Sequence, residues 1–120
     1  MAAQSLEPLP TRATDPKRFG SWVQNACLAH FWSSGQSLSY WREEPLEVDA
    51  VSEGSWGPLA VEVKSGPYSS ADLKGLLEFT RRYPRFRPLV VCDAGDELVA
   101  RRLGLAAVSW QAFLESGPPR

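Results

Sequence analysis

The stretch RPLVVCD, residues 87–93, constrains the fold of this chain more than any other. It is a continuous apolar run, which is typical of a strand covered on both faces rather than one that alternates between core and solvent. Such a strand needs helices on both sides of its sheet, and the helical pattern directly before it favours a parallel crossover. The chain is therefore predicted to be α/β, with a central mixed β-sheet flanked by helices.

Local signals predict the other elements. A first helix is expected from Pro16 to about residue 33, because Asp15 is a suitable N-cap and proline is favoured at the first helical position. Three short strands then form an antiparallel meander. A second helix, capped by Ser69 or Ser70, runs to about Tyr83. The predicted order is α-β-β-β-α-β, followed by a short α-β-α segment.

Size and composition support one globular domain. The chain has 120 residues and a net charge of −1, so residues 16–120 are predicted to form the domain and residues 1–15 a tail or linker. No apolar run reaches the ~20 residues that a membrane span needs, and the N-terminus lacks the apolar stretch of a signal peptide. A cytoplasmic location without membrane contact is therefore expected. Cys27 and Cys92 lack C-x-x-C spacing and are predicted to be reduced core residues.

Charged residues interrupt the strand AVEVKSG, residues 60–66. Alternation puts Val61 and Val63 on one face and Glu62 and Lys64 on the other. Asp49 lies on the preceding strand, and a hairpin can set it beside Glu62. Two adjacent carboxylates repel each other unless a cation lies between them, and a hard divalent ion such as Mg²⁺ suits oxygen ligands.

Lys64 can then orient or deprotonate an attacking water, or hold a phosphate oxygen. This combination suggests metal-dependent hydrolysis of a phosphodiester. A solvated strand face with a weak ion pair, worth about 0–1 kcal/mol, explains Glu62 and Lys64 equally simply and stays open.

The pattern resembles the PD-(D/E)xK, or restriction-endonuclease-like, nuclease superfamily. It is most similar to the nuclease-like domain that closes many prokaryotic AAA-type ATPases. The resemblance covers about residues 18–115, and its most specific parts are Y-W-R followed by E-V-D, and E-V-K-S-G followed by D-L-K-G-L. It implies an αβββαβ core, a Mg²⁺ or Mn²⁺ cofactor, DNA as substrate and an AAA-type ATPase domain as partner.

The resemblance also implies roles for single residues. Asp49, Glu62 and Lys64 match the catalytic set, in which the two acids bind the metal and the backbone carbonyl of Val63 adds a ligand. Members of the superfamily commonly have a further glutamate on the first helix. The matching position here is Gln24, a neutral amide that can ligate a metal but adds no charge.

Four basic residues are candidates for nucleic-acid binding: Lys74, Arg81, Arg82 and Arg85. Lys74 falls near the site if the resemblance holds, whereas the three arginines belong to the basic stretch RRYPRFR. A solvated helix surface explains each of them as well as phosphate contact does.

Three functions remain open. The first is a metal-dependent nuclease that acts on DNA. The second is a module that keeps the nuclease scaffold without turnover and docks nucleic acid or protein, for which Gln24 and the small net charge argue. The third is a homodimerisation domain, because small nuclease-fold domains often pair.

Overall fold

Five strands form one mixed sheet, and helices cover both of its faces. The computed structural model describes residues 11–119. The elements are α1 (Pro16–Ser33), β1 (Ser37–Glu43), β2 (Leu46–Glu53), β3 (Leu59–Val63), a 3₁₀ turn (Ser70–Leu73), α2 (Lys74–Arg82), β4 (Arg87–Cys92), α3 (Glu97–Arg101), β5 (Ala106–Ser109) and α4 (Trp110–Ser116). The strands lie in sequence order, with β1, β2 and β3 antiparallel and β3, β4 and β5 parallel. The predicted α/β class and mixed sheet are confirmed.

Strand β4 is buried on both faces, as its apolar run predicts. Leu89 and Val91 pack in the core on the side of α1 and α4. Val90 and Cys92 pack in the core on the side of α2 and α3. Both cysteines are buried and free, which confirms that Cys27 and Cys92 are reduced core residues.

The first helix begins and ends at the predicted residues. The carboxylate of Asp15 accepts a hydrogen bond from the Arg18 amide at 3.1 Å, and Pro16 takes the first helical position. Val23, Cys27 and Phe31 recur every four residues and are fully buried, so one stripe of α1 packs on the sheet.

The chain already contacts the domain just before this helix. Residues 1–10 of the predicted tail lie outside the described residues. Arg12, however, pairs with Asp93 at 2.6 Å and lies over the ring of Phe19 at 4.9 Å. Within residues 11–119, no helix is long and apolar enough to cross a membrane.

The second helix begins later than expected. Ser69 does act as a cap, since its amide donates to the Asp72 carboxylate at 2.9 Å. The first turn after it is 3₁₀, however, and the α-helical part begins only at Lys74.

Strand β2 carries one extra residue relative to β1. Ser39 pairs with Val51, but Trp41 pairs with Val48, so Tyr40 lies opposite both Asp49 and Ala50. Such a β-bulge bends a strand and redirects the side chains around it.

Helix α2 packs directly on the backbone of β2 through Gly75. A β-carbon at this position would lie 2.1 Å from the carbonyl oxygen of Glu47, which is too short for any real contact. Glycine therefore sets the distance between the helix and the strand that carries Asp49.

Gly75→Ala is expected to destabilise the domain by about 1–3 kcal/mol, because the helix must move away from β2. Gly20→Ala in α1 is the matched control, since the nearest atom to its added methyl would be the Ser65 β-carbon at an ordinary 3.7 Å. The control is expected to be neutral or to stabilise by up to about 1 kcal/mol. Urea unfolding of both variants checks the opposite signs, and equal effects would contradict the close packing.

Candidate active site

Asp49 and Glu62 hold β2 and β3 together where the backbone ladder between these strands ends. The ladder runs from Ser52 and Leu59 to Ala50 and Val61. Beyond it, Glu62 Oε1 accepts a hydrogen bond from the Asp49 amide at 3.0 Å. In return, Asp49 Oδ2 accepts from the Val63 amide at 2.9 Å. The predicted hairpin therefore does place Asp49 beside Glu62, and each carboxylate is fixed by the opposite strand.

Lys64 completes the group. Its Nζ lies 3.3 Å from Glu62 Oε2, and the two side chains are 27% and 5% exposed. Val61 and Val63 point into the core on the α1 side, whereas Glu62 and Lys64 line a cleft on the α2 side. This confirms the alternation that was expected along β3.

Burial sets the protonation of the acid pair. Burial, followed by the charge of Asp49, raises the pKa of Glu62 to about 7. Burial also raises the pKa of Asp49, while the Val63 amide and the charge of Lys64 oppose that rise. Near neutral pH the pair therefore carries less than two full negative charges, and it can hold or release a proton.

Two clefts open on opposite sides of the acid pair. The first, the lysine cleft, has a volume of about 280 Å³ and lies against α2; its lining includes Glu47, Glu62, Lys64, Asp72, Lys74 and Gly75. The second, the apolar cleft, has a volume of about 240 Å³ and is lined by Leu28, Leu38, Ser39, Tyr40 and Asp49. No lining residue is shared, so Glu62 faces one cleft and Asp49 the other.

We call the end of the β2–β3 pairing, where Asp49 and Glu62 each accept from the opposite strand, the seam. The oxygen atoms at the seam suit a divalent cation that keeps much of its water. Asp49 and Glu62 supply carboxylates, and the Val63 carbonyl points toward β2, as does the amide of the same residue. All are hard oxygen ligands of the kind that Mg²⁺ and Mn²⁺ take. No group of three or more acidic, histidine or cysteine side chains within residues 11–119 is placed to hold a metal, so a bound ion would rely on water for its other ligands.

The other predicted site residues are less closely joined to the pair. Gln24 is half-buried on α1, one turn before Leu28, and within residues 11–119 no hydrogen bond joins it to either acid. Lys74 is exposed at the rim of the lysine cleft. Lys74 is thus near the site as expected, whereas Gln24 lies on the side of the apolar cleft.

The predicted arginine patch is engaged in ion pairs. Arg81 pairs with Glu78 at 2.6 Å, and Arg85 pairs with Glu53. Arg82 contacts Glu78 and also Glu43 on β1, each at 2.6 Å. These acids offset the positive charge of the patch, and Arg82 ties α2 to the edge strand. Whether the arginines bind phosphate stays a prediction.

Tyr40, Leu28 and Leu38 were not predicted as site residues. The position of Tyr40 could have been inferred from its neighbour. Trp41 packs against Phe79 on the α2 side, and alternation along the strand then directs Tyr40 to the opposite face. The two leucines carry no signal that separates them from ordinary core residues.

Replacing Glu62 is expected to flatten the pH dependence of stability. The folded state raises the pKa of Glu62 above its ordinary 4.5, so the group's contribution is complete below that value and is lost as pH rises through about 7. Between about pH 5 and pH 8, the free energy of unfolding should fall by on the order of 2 kcal/mol more in the wild type than in Glu62→Gln. Urea unfolding with EDTA measures this, and Glu115→Gln, on the exposed side of α4, should keep the wild-type slope. Parallel curves for Glu62→Gln would contradict the buried acid pair.

Comparison with known proteins gives one family. Residues 19–113 match the model described as Domain of unknown function (DUF4143), a family that is often found with AAA ATPases. No curated protein and no solved structure matches the chain significantly. Because the family model covers most of the sequence, this chain belongs to the DUF4143 family.

Proposed function

We propose that this domain hydrolyses phosphodiester bonds of DNA with a divalent metal ion, as a nuclease-like part or partner of an AAA-type ATPase. One observation carries the proposal. The carboxylates of Asp49 and Glu62 each accept a hydrogen bond from a backbone amide of the other's strand, and Lys64 Nζ lies 3.3 Å from Glu62 Oε2. Two acids can hold a metal ion, and a lysine beside them can stabilise negative charge, which are two roles used in metal-assisted hydrolysis.

Each residue has a distinct task in this proposal. Bound by Asp49, Glu62 and the Val63 carbonyl, Mg²⁺ or Mn²⁺ would supply Lewis-acid polarisation of the phosphate. The ammonium of Lys64 would stabilise negative charge that develops on the phosphate oxygens. The attacking water gives up one proton to solvent as its oxygen bonds to phosphorus, one ester P–O bond breaks, and the leaving oxygen takes up one proton from solvent.

The partner and the location are parts of the same proposal. The frequent occurrence of the family with AAA ATPases supports an ATPase partner. The buried free thiols of Cys27 and Cys92 support a reducing compartment such as the cytoplasm.

A docking module without turnover is the second candidate, and specific contacts favour it. Both oxygens of Glu62 already have protein partners, the Asp49 amide and Lys64. Gln24 adds no charge to the site. A cation would have to compete with Lys64 for Glu62, which lowers metal affinity.

Nicking of supercoiled plasmid in Mn²⁺ separates the two candidates. Asp49→Asn keeps an acceptor for the Val63 amide and Lys64→Met keeps the side-chain length, and each should lower the nicking rate at least about 100-fold. Glu115→Gln and Lys17→Met remove exposed charges outside the two clefts and should nick like the wild type. EDTA should abolish the activity. Equal rates for the site variants and the wild type would leave only the docking candidate.

The salt dependence of DNA binding tests which basic residues touch phosphate. Lys74→Ala should reduce the slope of log affinity against log salt by about 1, as expected for one lost phosphate contact. Arg81→Ala should leave the slope unchanged, because Arg81 is already paired with Glu78. Fluorescence anisotropy of a labelled oligonucleotide at several salt concentrations gives both slopes. The opposite ranking would place the phosphate path along the arginines instead.

A further inference from the structure

The apolar cleft adjoins the acid pair but has a chemistry opposite to that of the lysine cleft. Leu28 and Leu38 form its apolar walls, and Asp49 contributes the carboxylate. Its lining contains no lysine or arginine among the described residues. A phosphate would meet only repulsion from Asp49 there, so the cleft suits an uncharged, flat group.

Tyr40 supplies an exposed aromatic surface at this cleft. Its side chain is 71% exposed, although Trp41 beside it packs against Phe79 in the core. The difference follows from the alternation of side chains along β1, and the bulge in β2 sets Tyr40 opposite both Asp49 and Ala50. The strand thus directs Tyr40 toward the solvent beside a candidate catalytic acid, and Trp41 into the core.

The two clefts together match the two halves of a nucleotide. Lys64 and Lys74 line the lysine cleft beside Glu47, Glu62 and Asp72. A phosphate there would meet both ammonium groups and any divalent ion held by the acid pair, whereas the apolar cleft is suited to a base. The acid pair lies between them. A substrate that spans the end of the β2–β3 seam would place its phosphate and its base in matching surroundings.

We propose that Tyr40, with Leu28 and Leu38, stacks an unpaired nucleobase of the substrate next to the phosphate that is cleaved. This rests on the proposed function, in that the ligand is a nucleic acid. Stacking of this kind tolerates any base, because every base has a π-face. It also selects single-stranded, flapped or damaged regions, because the faces of a base inside a duplex are already covered by its neighbours.

The test uses a short single-stranded oligonucleotide with one 2-aminopurine, and the same oligonucleotide with an abasic position instead. Binding is measured in EDTA, so that no turnover is needed. Stacking on Tyr40 should quench the 2-aminopurine fluorescence. Tyr40→Ala should weaken binding about 5- to 150-fold, the range for loss of one stacked base, and should remove the quenching. Tyr40→Phe keeps the ring and should behave like the wild type.

Controls separate stacking from other roles of the surface. Trp32 is 72% exposed but lies outside the cleft lining, and Trp32→Ala should bind like the wild type. The abasic oligonucleotide should bind wild type and Tyr40→Ala equally weakly. The unfolding midpoint of Tyr40→Ala should match the wild type, because the side chain is mostly exposed.

Three results would overturn the base site. The first is the absence of quenching in the wild type. The second is a loss of affinity in Tyr40→Ala that is the same for the 2-aminopurine and the abasic oligonucleotide. The third is a loss of affinity in Trp32→Ala as large as that in Tyr40→Ala, which would indicate a broad docking surface. Failure of the proposed hydrolysis is a separate result: plasmid nicking would be absent while Tyr40-dependent quenching persisted.

Discussion

The exchange of hydrogen bonds between Asp49 and Glu62 is the contact on which the candidate site depends. Each carboxylate takes the place of a backbone carbonyl and satisfies an amide of the opposite strand, at 3.0 and 2.9 Å. Two buried acids side by side are costly by themselves. The two amides and Lys64 offset only part of that cost. The remainder lowers the stability of the seam, so the same contacts position the acids and limit how stable the domain is.

The rest of the fold holds this seam in place from both sides. β4 is buried on both faces and fixes β3 by parallel pairing from Leu59 to Val63. On the α2 side, Gly75 lets the helix touch the backbone of β2. On the α1 side, Val23 and Cys27 belong to the core cluster that contains Val61 and Val63. The acids therefore lie between two packed layers, just beyond the Ala50–Val61 end of the ladder between β2 and β3.

The sequence was informative where a residue's role follows from its neighbours in the chain. The buried strand at residues 87–93, the cap at Asp15 and the alternation around Glu62 are all of this kind, and the structure bears them out. The bulge in β2 was not predictable, because it depends on the register with β1. Two partners of the arginines depend on the fold for a similar reason: Glu43 and Glu53 are distant in sequence and meet Arg82 and Arg85 only after folding. Glu78, by contrast, lies within one helical turn of Arg81 and Arg82.

Lys64 links the stability of the seam to the proposed chemistry. Its ammonium supplies positive charge to an acid pair whose carboxylates would otherwise favour their protonated forms. The same ammonium is the group proposed to stabilise charge on a phosphate, and it cannot serve Glu62 and a phosphate equally well. When a phosphate enters the lysine cleft, Lys64 would shift toward it, and Glu62 would then need another cation or a proton. Binding of substrate and binding of a divalent ion are therefore expected to favour each other at this site, because each compensates for the charge that the other displaces.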